Sequence, residues 1–448
     1  VKNYVKDEKL IEFLISSVGY HHWREGFEKI LRNNIEVKKF IEWVLKNKDE
    51  LEKNLKETLD NKINDGELRN LVDNIKLQTK ELKEIENGSY FYNYAVPPYK
   101  YDFEPLRILL TQKFDEQKKW ILISGFLQRF DHFASFCEME NEDLNLVEIK
   151  PAGEKEIKDR IVKKLAISQD KIWQIQKFQN VGCKNLILIA PTGYGKTEFA
   201  FLWSSNDKFI YTLPIRSAVN QIFERATEFF GNDKTGILHS DADIYLLEKE
   251  EINEKVKSYE LAKNLSFPAI ISTGDQFFPY ALRFTGYEKI FSLFSYSNLI
   301  IDEVQAYNPK ACAIIVKFIE WVYNLGGRFL LMTATLPKFV EEYLEKKIKK
   351  NDYEKINIYK EREDCFKNLI RHKIRVEFIN NFKRDKNGKF DLGEEKIKQI
   401  LNQAENGKRV LVILNTVSQA QDVYEKLIKL NRPNIKIFLL HSRFSLED

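Results

Sequence analysis

Two rhythms of apolar residues divide this chain. Over residues 1–136 apolar positions recur at three- and four-residue spacing, as in LIEFLISSV (10–18), FIEWVLKN (40–47), LRNLVDNIKLQTKEL (68–82) and KWILISGFLQRFDHFASF (119–136). That spacing predicts helices. The interruption GSYFYNYAVPPYKYDFEP (88–105), rich in Tyr and Pro, reads as an ordered loop. A charged, weakly apolar stretch then sets a boundary. It gives a helical region over 1–145 and a connector over 146–168.

Beyond the connector, short aliphatic runs alternate with helix-length patterns. The runs are NLILIA (185–190), KFIYTLP (208–214), AIIST (269–273), NLIIDE (298–303) and RFLLMTAT (328–335). They lack polar alternation, so each is expected to be a strand buried on both faces. Strands of that kind alternating with helices make a parallel sheet covered by helices on both sides. The expected fold class is therefore α/β, with one complete parallel-sheet lobe over 169–350. A second set, HKIRVEFI (372–379), RVLVILN (409–415) and IKIFLLHS (435–442), supplies three further candidate strands. Three are too few for a second full lobe, so 370–448 is expected to be part of one.

Composition narrows the class only a little. With 43% hydrophobic and 31% charged residues in 448, the chain has the balance of an ordinary globular protein. No apolar run reaches the ~18 residues of a membrane span, so no membrane partner is expected. The four cysteines contain no CxxC pair. This argues against a zinc ribbon or disulfide framework and for a reducing, cytoplasmic compartment. Net charge is +4, unevenly spread: residues 1–150 carry 24 Lys and Arg against 28 Asp and Glu, the remainder 47 against 39. A polyanion is expected to meet the second part.

The strongest chemical signal is APTGYGKT (190–197), directly after a strand and before a helix. In a phosphate-binding loop, glycines let the backbone wrap a phosphate with its N–H groups pointing inward. Thr192, Gly193 and Gly195 would form the loop, Lys196 would reach the β- and γ-phosphates, and Thr197 would bind Mg²⁺. The helix N-terminus adds favourable charge for the anion. Ala190 stands where the generic pattern has glycine. A second element agrees with it. Asp302 and Glu303 close an apolar strand, the edge at which open α/β sheets bind ligands. There Asp302 can hold the Mg²⁺ shell, and Glu303 can orient and deprotonate a water attacking the γ-phosphate. Together the two elements point to ATP hydrolysis.

Further segments narrow the choice. TLPIRSAVNQ (212–221), STGDQFFPYAL (272–282) and LMTATLP (331–337) each follow or end a strand, and LVILNTVSQAQ (411–421) comes later. In this order after a phosphate loop they resemble motifs Ia, Ib, III and IV of superfamily 2 helicases. The resemblance implies RecA-like lobes and contacts to a nucleic-acid backbone from Pro214, Arg216, Asn220, Thr273, Asp275, Thr333, Thr335, Asn415 and Thr416. Hydroxyl, amide and guanidinium groups suit backbone contact because they bind phosphates without reading bases. Gln176 would read the adenine, with Gln174 the alternative.

The finer wording, including DEVQAYNP (302–309) and LLHSRF (439–444), is similar to the helicase–nuclease of type I CRISPR systems. That family usually has His after Asp-Glu-Val, where this chain has Gln305. The resemblance implies single-stranded DNA and an RNA-guided CRISPR surveillance complex as partners. It also gives the front helices a role, because a helical HD nuclease domain often precedes the helicase. GYHHWRE (19–25) and RFDHFAS (129–135) resemble its last elements, which would make His21, His22 and Asp131 ligands of Mn, Fe, Co or Ni. By residues alone, the histidine pair and the Asp-His pair are ordinary polar surface features.

Three ligands cannot fill two metal shells, and no late arginine motif follows. The sequence is therefore expected to be a piece of a longer protein, lacking a competent nuclease site and hydrolysing ATP poorly. Two other readings stay open: a different superfamily 2 RNA or DNA helicase, and a helical front region that is a protein-binding module.

Overall fold

A computed structural model describes residues 7–20, 35–62, 72, 76–77, 79–90, 114–247, 252–364, 376, 392–430 and 432–443. The chain divides into two compact units, Val1–Lys367 and Asn368–Asp448, each described by itself below.

In the first unit the aliphatic runs become a seven-stranded parallel sheet. Its strands are β1 (Asn185–Ile189), β2 (Phe209–Leu213), β3 (Thr235–Leu238), β4 (Ala269–Thr273), β5 (Asn298–Asp302), β6 (Arg328–Thr333) and β7 (Tyr353–Asn357). Their order across the sheet is β3-β4-β2-β5-β6-β1-β7. All pairings are parallel, so every strand ends at the same edge. The strands β3 and β7 were not foreseen from the pattern. Both lie at the margins of the sheet: β3 has only four residues, and β7, Tyr-Glu-Lys-Ile-Asn, buries only Ile356, so neither shows an unbroken apolar run.

Before the sheet come helices α1 (Glu8–Tyr20), α2 (Ile35–Lys46), α3 (Lys48–Lys62), α4 (Lys80–Glu86), α5 (Phe114–Glu140), α6 (Glu154–Leu165) and α7 (Trp173–Val181). Between the strands lie α8 (Lys196–Trp203), α9 (Arg216–Phe230), α10 (Ala242–Leu247), α11 (Ile252–Lys263), α12 (Tyr287–Leu293), α13 (Pro309–Leu325) and α14 (Lys338–Lys347). The four-residue α15 (Ile358–Glu361) follows β7. Local sequence marks these boundaries. Asn308 caps α13 by accepting from the Ala311 N–H at 2.9 Å, Pro309 opens it, and Gly326 in the left-handed region closes it.

Side chains alternate along each strand between two cores. Ile187, Ile210, Ile301 and Leu331 face one, with α12, α13 and α14. Leu186, Tyr211, Ile300 and Leu330 face the other, with α6, α7, α8 and α9. This two-sided burial is why the runs lack polar alternation.

Helix α5 belongs to the first of these cores. Trp120, Ile121, Phe133 and Phe136 pack with Phe291 and Trp321 of the lobe, and Phe13 of α1 sits edge-on to Trp120 at 5.9 Å. At the crossing with α12, a Cβ on Gly125 would lie 2.1 Å from the Glu288 carbonyl oxygen, so only glycine fits. The helical front region expected to end at 145 thus gives its last helix to the interior of the sheet lobe.

A buried charge cluster reinforces that junction. Arg129 of α5, 1% exposed, donates to Glu148 at 2.5 Å, to the carbonyls of Val147 and Leu265, and to Tyr296. Lys208, at the start of β2, donates to the same Glu148 carboxylate at 2.6 Å and to the Ser266 carbonyl. Burial pushes the Lys208 amine down to about 7, with Glu148 pulling it back up. One carboxylate thus serves two buried cations. Glu148→Gln is expected to destabilise the unit by about 2–3 kcal/mol, below the full range for a broken buried pair because Glu148 is itself 39% exposed. Thermal denaturation should show a drop of roughly 5 °C. Without the carboxylate, folded Lys208 binds its proton less readily than in the wild type. The deficit should therefore grow as pH falls from 9 to 6.

The second unit contains α16 (Glu394–Glu405) and α17 (Val417–Lys429), packed through Ile397, Leu401, Val423 and Leu427. The expected strands at 409–415 and 435–442 join no hydrogen-bonded ladder among the described residues, and 372–379 lies outside them apart from Val376. Leu414, Ile435 and Ile437 lean on the helices, but Leu411, Ile413, Phe438 and Leu440 are 81–89% exposed. Parallel ladders are stable when both faces are covered, and here only one is.

Candidate functional site

The shared C-terminal edge of the strands collects the motif residues. After β1 the chain turns through Thr192, Gly193, Tyr194 and Gly195 into α8. Gly193 and Gly195 have φ of +74° and +81°, a conformation that L side chains rarely adopt. A Cβ on Gly195 would also lie 2.1 Å from Gln174 Nε2. Gln174 itself is buried and donates to the Gly195 carbonyl at 3.3 Å, tying α7 to the loop. Trp173 is stacked between Tyr194 and Phe199 and donates to the Tyr194 carbonyl at 3.0 Å. Gln176 faces outward instead and bonds the Asp170 carbonyl. Of the two glutamines, the structural bond thus goes to Gln174, and Gln176 is the one presented at the surface.

Lys196, 6% exposed, extends to Glu303 with Nζ 3.1 Å from Oε1. Glu303 follows β5 with φ of +56°, so its backbone is turned sharply as the strand ends. Asp302 beside it is buried, and its Oδ1 accepts the Glu303 N–H at 2.9 Å. Its Oδ2 accepts the Tyr211 hydroxyl at 2.7 Å. Burial pushes the Asp302 carboxyl up to about 6, against the Tyr211 bond and the Lys196 charge, which lower it. A buried acid with one cation nearby, two left-handed glycines and a helix N-terminus form a donor set that fits Mg²⁺ and a polyphosphate.

Gln305 links this site to the next strand. Its amide donates to Glu303 Oε2 and its carbonyl accepts the Thr333 hydroxyl, while Thr333 also receives the Thr335 N–H at 3.1 Å. An amide makes both contacts at any pH because it has a fixed donor and a fixed acceptor.

The other predicted contact residues lie on neighbouring loops of the same edge. Pro214 and Arg216 follow β2, Thr273 ends β4 and Asp275 follows it. Arg216 pairs with Asp241 and lies 3.2 Å from Ser240 Oγ. Asn220 Oδ1 meets His239 Nε2 at 2.9 Å, and His239 Nδ1 accepts the Asp241 N–H at 3.2 Å. Burial, then the Arg216 charge, lowers the His239 basicity. The stretch His239-Ser240-Asp241 therefore braces two candidate contact residues. In the second unit Asn415 is exposed and Thr416 caps α17, accepting from the Gln419 N–H at 3.3 Å.

The DEAD/DEAH box helicase family matches residues 168–343, and the family described as CRISPR-associated nuclease/helicase Cas3, C-terminal, matches 406–448. The CRISPR-associated nuclease/helicase Cas3 of Methanothermobacter thermautotrophicus is 31% identical over 336 residues, 72% of this chain and 38% of that protein. The chain belongs to the Cas3 helicase family. A second Cas3-named relative, from Methanocaldococcus jannaschii, is 27% identical over 62% of the chain and 38% of its own length. This Cas3-family chain thus spans about two fifths of the curated relatives it matches. The crystal structure of T. fusca Cas3-AMPPNP shares the fold, with a TM-score of 0.52 at 17% identity over 76% of the chain and 42% of that structure.

For the expected nuclease ligands of a Cas3-type front region, His21 and His22 lie outside the described residues. Asp131 is half-buried on α5. Among the described residues no three His, Cys, Asp or Glu side chains form a metal-holding group. No helix among them is long and apolar enough to cross a membrane. Reading the sequence missed Tyr211 and His239. A tyrosine inside the short buried run FIYTL (209–213) was the available signal for the first; the second had none.

Proposed function

We propose that this chain is the motor portion of an ATP-dependent superfamily 2 DNA helicase. The observation that carries the reading is the convergence of Lys196, Asp302 and Glu303 at the end of β5 beside the glycine loop. The loop's N–H groups bind the phosphates of ATP, and the Lys196 amine neutralises them. Mg²⁺, when bound, polarises the β- and γ-phosphate oxygens. Thr197 and Asp302 would supply its protein oxygens. Anionic phosphates compete with Glu303 for Lys196. Their arrival frees the Glu303 carboxylate to orient a water and take its proton at Oε1. Gln305 then carries any shift of Glu303 to Thr333 and Thr335, at the edge where Arg216 and Asp275 would meet the nucleic-acid backbone. Gln176 is offered as the adenine reader because its side chain is at the surface.

The finer reading rests on the family resemblance. The intact protein translocates 3′ to 5′ on single-stranded DNA delivered by an RNA-guided CRISPR complex. It cuts that strand at a divalent-metal site including His21, His22 and Asp131. The test uses the full-length protein: ATPase activity should rise with single-stranded DNA, and cutting should require Mn²⁺ or a similar ion. ATPase stimulated by RNA with no cutting of DNA would instead support a superfamily 2 RNA helicase with a protein-binding front region.

A further inference from the structure

In the middle of β2 a buried phenol stands where the pattern calls for a hydrocarbon. Tyr211 sits midway along β2, in register with Ile271 of β4 and Ile300 of β5. Its side chain is fully buried and faces the core that contains the phosphate-loop helix, with Phe201 of α8 edge-on at 6.2 Å. The phenol donates to Asp302 Oδ2 at 2.7 Å.

We propose that Tyr211 is a positioning residue for Mg²⁺–nucleotide binding, a phenol on β2 that holds the Asp302 carboxylate at the end of β5 in one orientation. The argument rests on the nucleotide reading above and on three facts of geometry. First, Tyr211 and Asp302 lie on paired strands, 91 residues apart in the chain, and the phenol bonds the carboxylate directly. Second, the ring cannot swing away, because strands lie on both sides and Phe201 lies against it. Third, a carboxylate accepting the Glu303 N–H on one oxygen and the phenol on the other is fixed in rotation about its Cβ–Cγ bond. Such preorganisation favours a cation that demands near-ideal octahedral geometry, since the ligands need not be ordered on binding. A phenylalanine would fill the same space and leave Asp302 held on one oxygen only, by the Glu303 N–H.

The experiment follows binding of a fluorescent ATP analogue to the chain while Mg²⁺ is titrated, comparing wild type with Tyr211→Phe. The Mg²⁺ midpoint should rise about tenfold, the change expected for losing one hydrogen bond to a charged group. Binding of the analogue in EDTA should be unchanged, because the loop and Lys196 are untouched. An unchanged midpoint in a folded variant overturns the proposal, as does an equal loss with and without Mg²⁺. Should Tyr211→Phe fail to fold, a ring-fluorinated tyrosine at 211 keeps the shape and alters only the strength of the hydroxyl as a donor. The midpoint should then shift by about twofold, and no shift overturns the proposal. Failure of the wild type to bind the analogue at all overturns the nucleotide reading itself, and this inference with it.

Discussion

Glu303→Gln should reduce ATP hydrolysis by roughly 10²–10⁴-fold, the range for removing a positioned general base. The same variant should bind ATP slightly better than wild type. In the nucleotide-free chain, the Glu303 carboxylate holds Lys196 at 3.1 Å and must be displaced by phosphate. A neutral amide competes less, so affinity should improve by about twofold to fivefold, as for a partly exposed ion pair worth ~0.5–1 kcal/mol. Geometry is little changed, because the glutamine carbonyl can still accept the Gln305 amide. Single-turnover hydrolysis and equilibrium binding separate the two effects. A loss in turnover of less than tenfold would place the base elsewhere.

Lys196→Ala should behave in the opposite sense. Removing the amine takes away the only cation within bonding distance of Glu303 among the described residues, and the one aimed into the glycine loop. A charge-assisted hydrogen bond of about 1.5–3 kcal/mol is lost, so ATP affinity should fall roughly ten- to hundredfold. Hydrolysis should become undetectable. The fold should tolerate the change, since Glu303 is 30% exposed and water can take over its oxygens. Lys196→Arg is the informative control. It keeps the charge but brings a planar fork into a site shaped for a compact amine. Retained binding with arginine would mean that charge alone suffices, whereas loss would show that the loop measures shape.

How much of this was legible beforehand differs by element. The five central strands were visible because burial on both faces removes polar residues from them. The glycine loop was visible because wrapping a phosphate needs left-handed backbone at Gly193 and Gly195. The margins of the sheet, β3 and β7, were not visible; β3 spans four residues and β7 is largely polar. The role of α5 was also hidden. Its apolar face reads the same whether it packs on other front helices or on α12. Only the absence of a side chain at Gly125 permits the close crossing, and nothing in a sequence says what a glycine lies against.

The site shows the same division. The sequence by itself determined which side chains can do phosphate chemistry, and it gave their order along the chain. Strand ends and helix starts are local, and local periodicity reveals them. Pairings across the sheet were decided only by the tertiary structure: Tyr211 with Asp302, Gln305 with Thr333, Asn220 with His239, and Glu148 with both Arg129 and Lys208. The reason is physical. Sequence periodicity reports which way a side chain points within its own element, whereas a hydrogen bond depends on distance to an atom on another element. That distance exists only once the strands have taken their order and register.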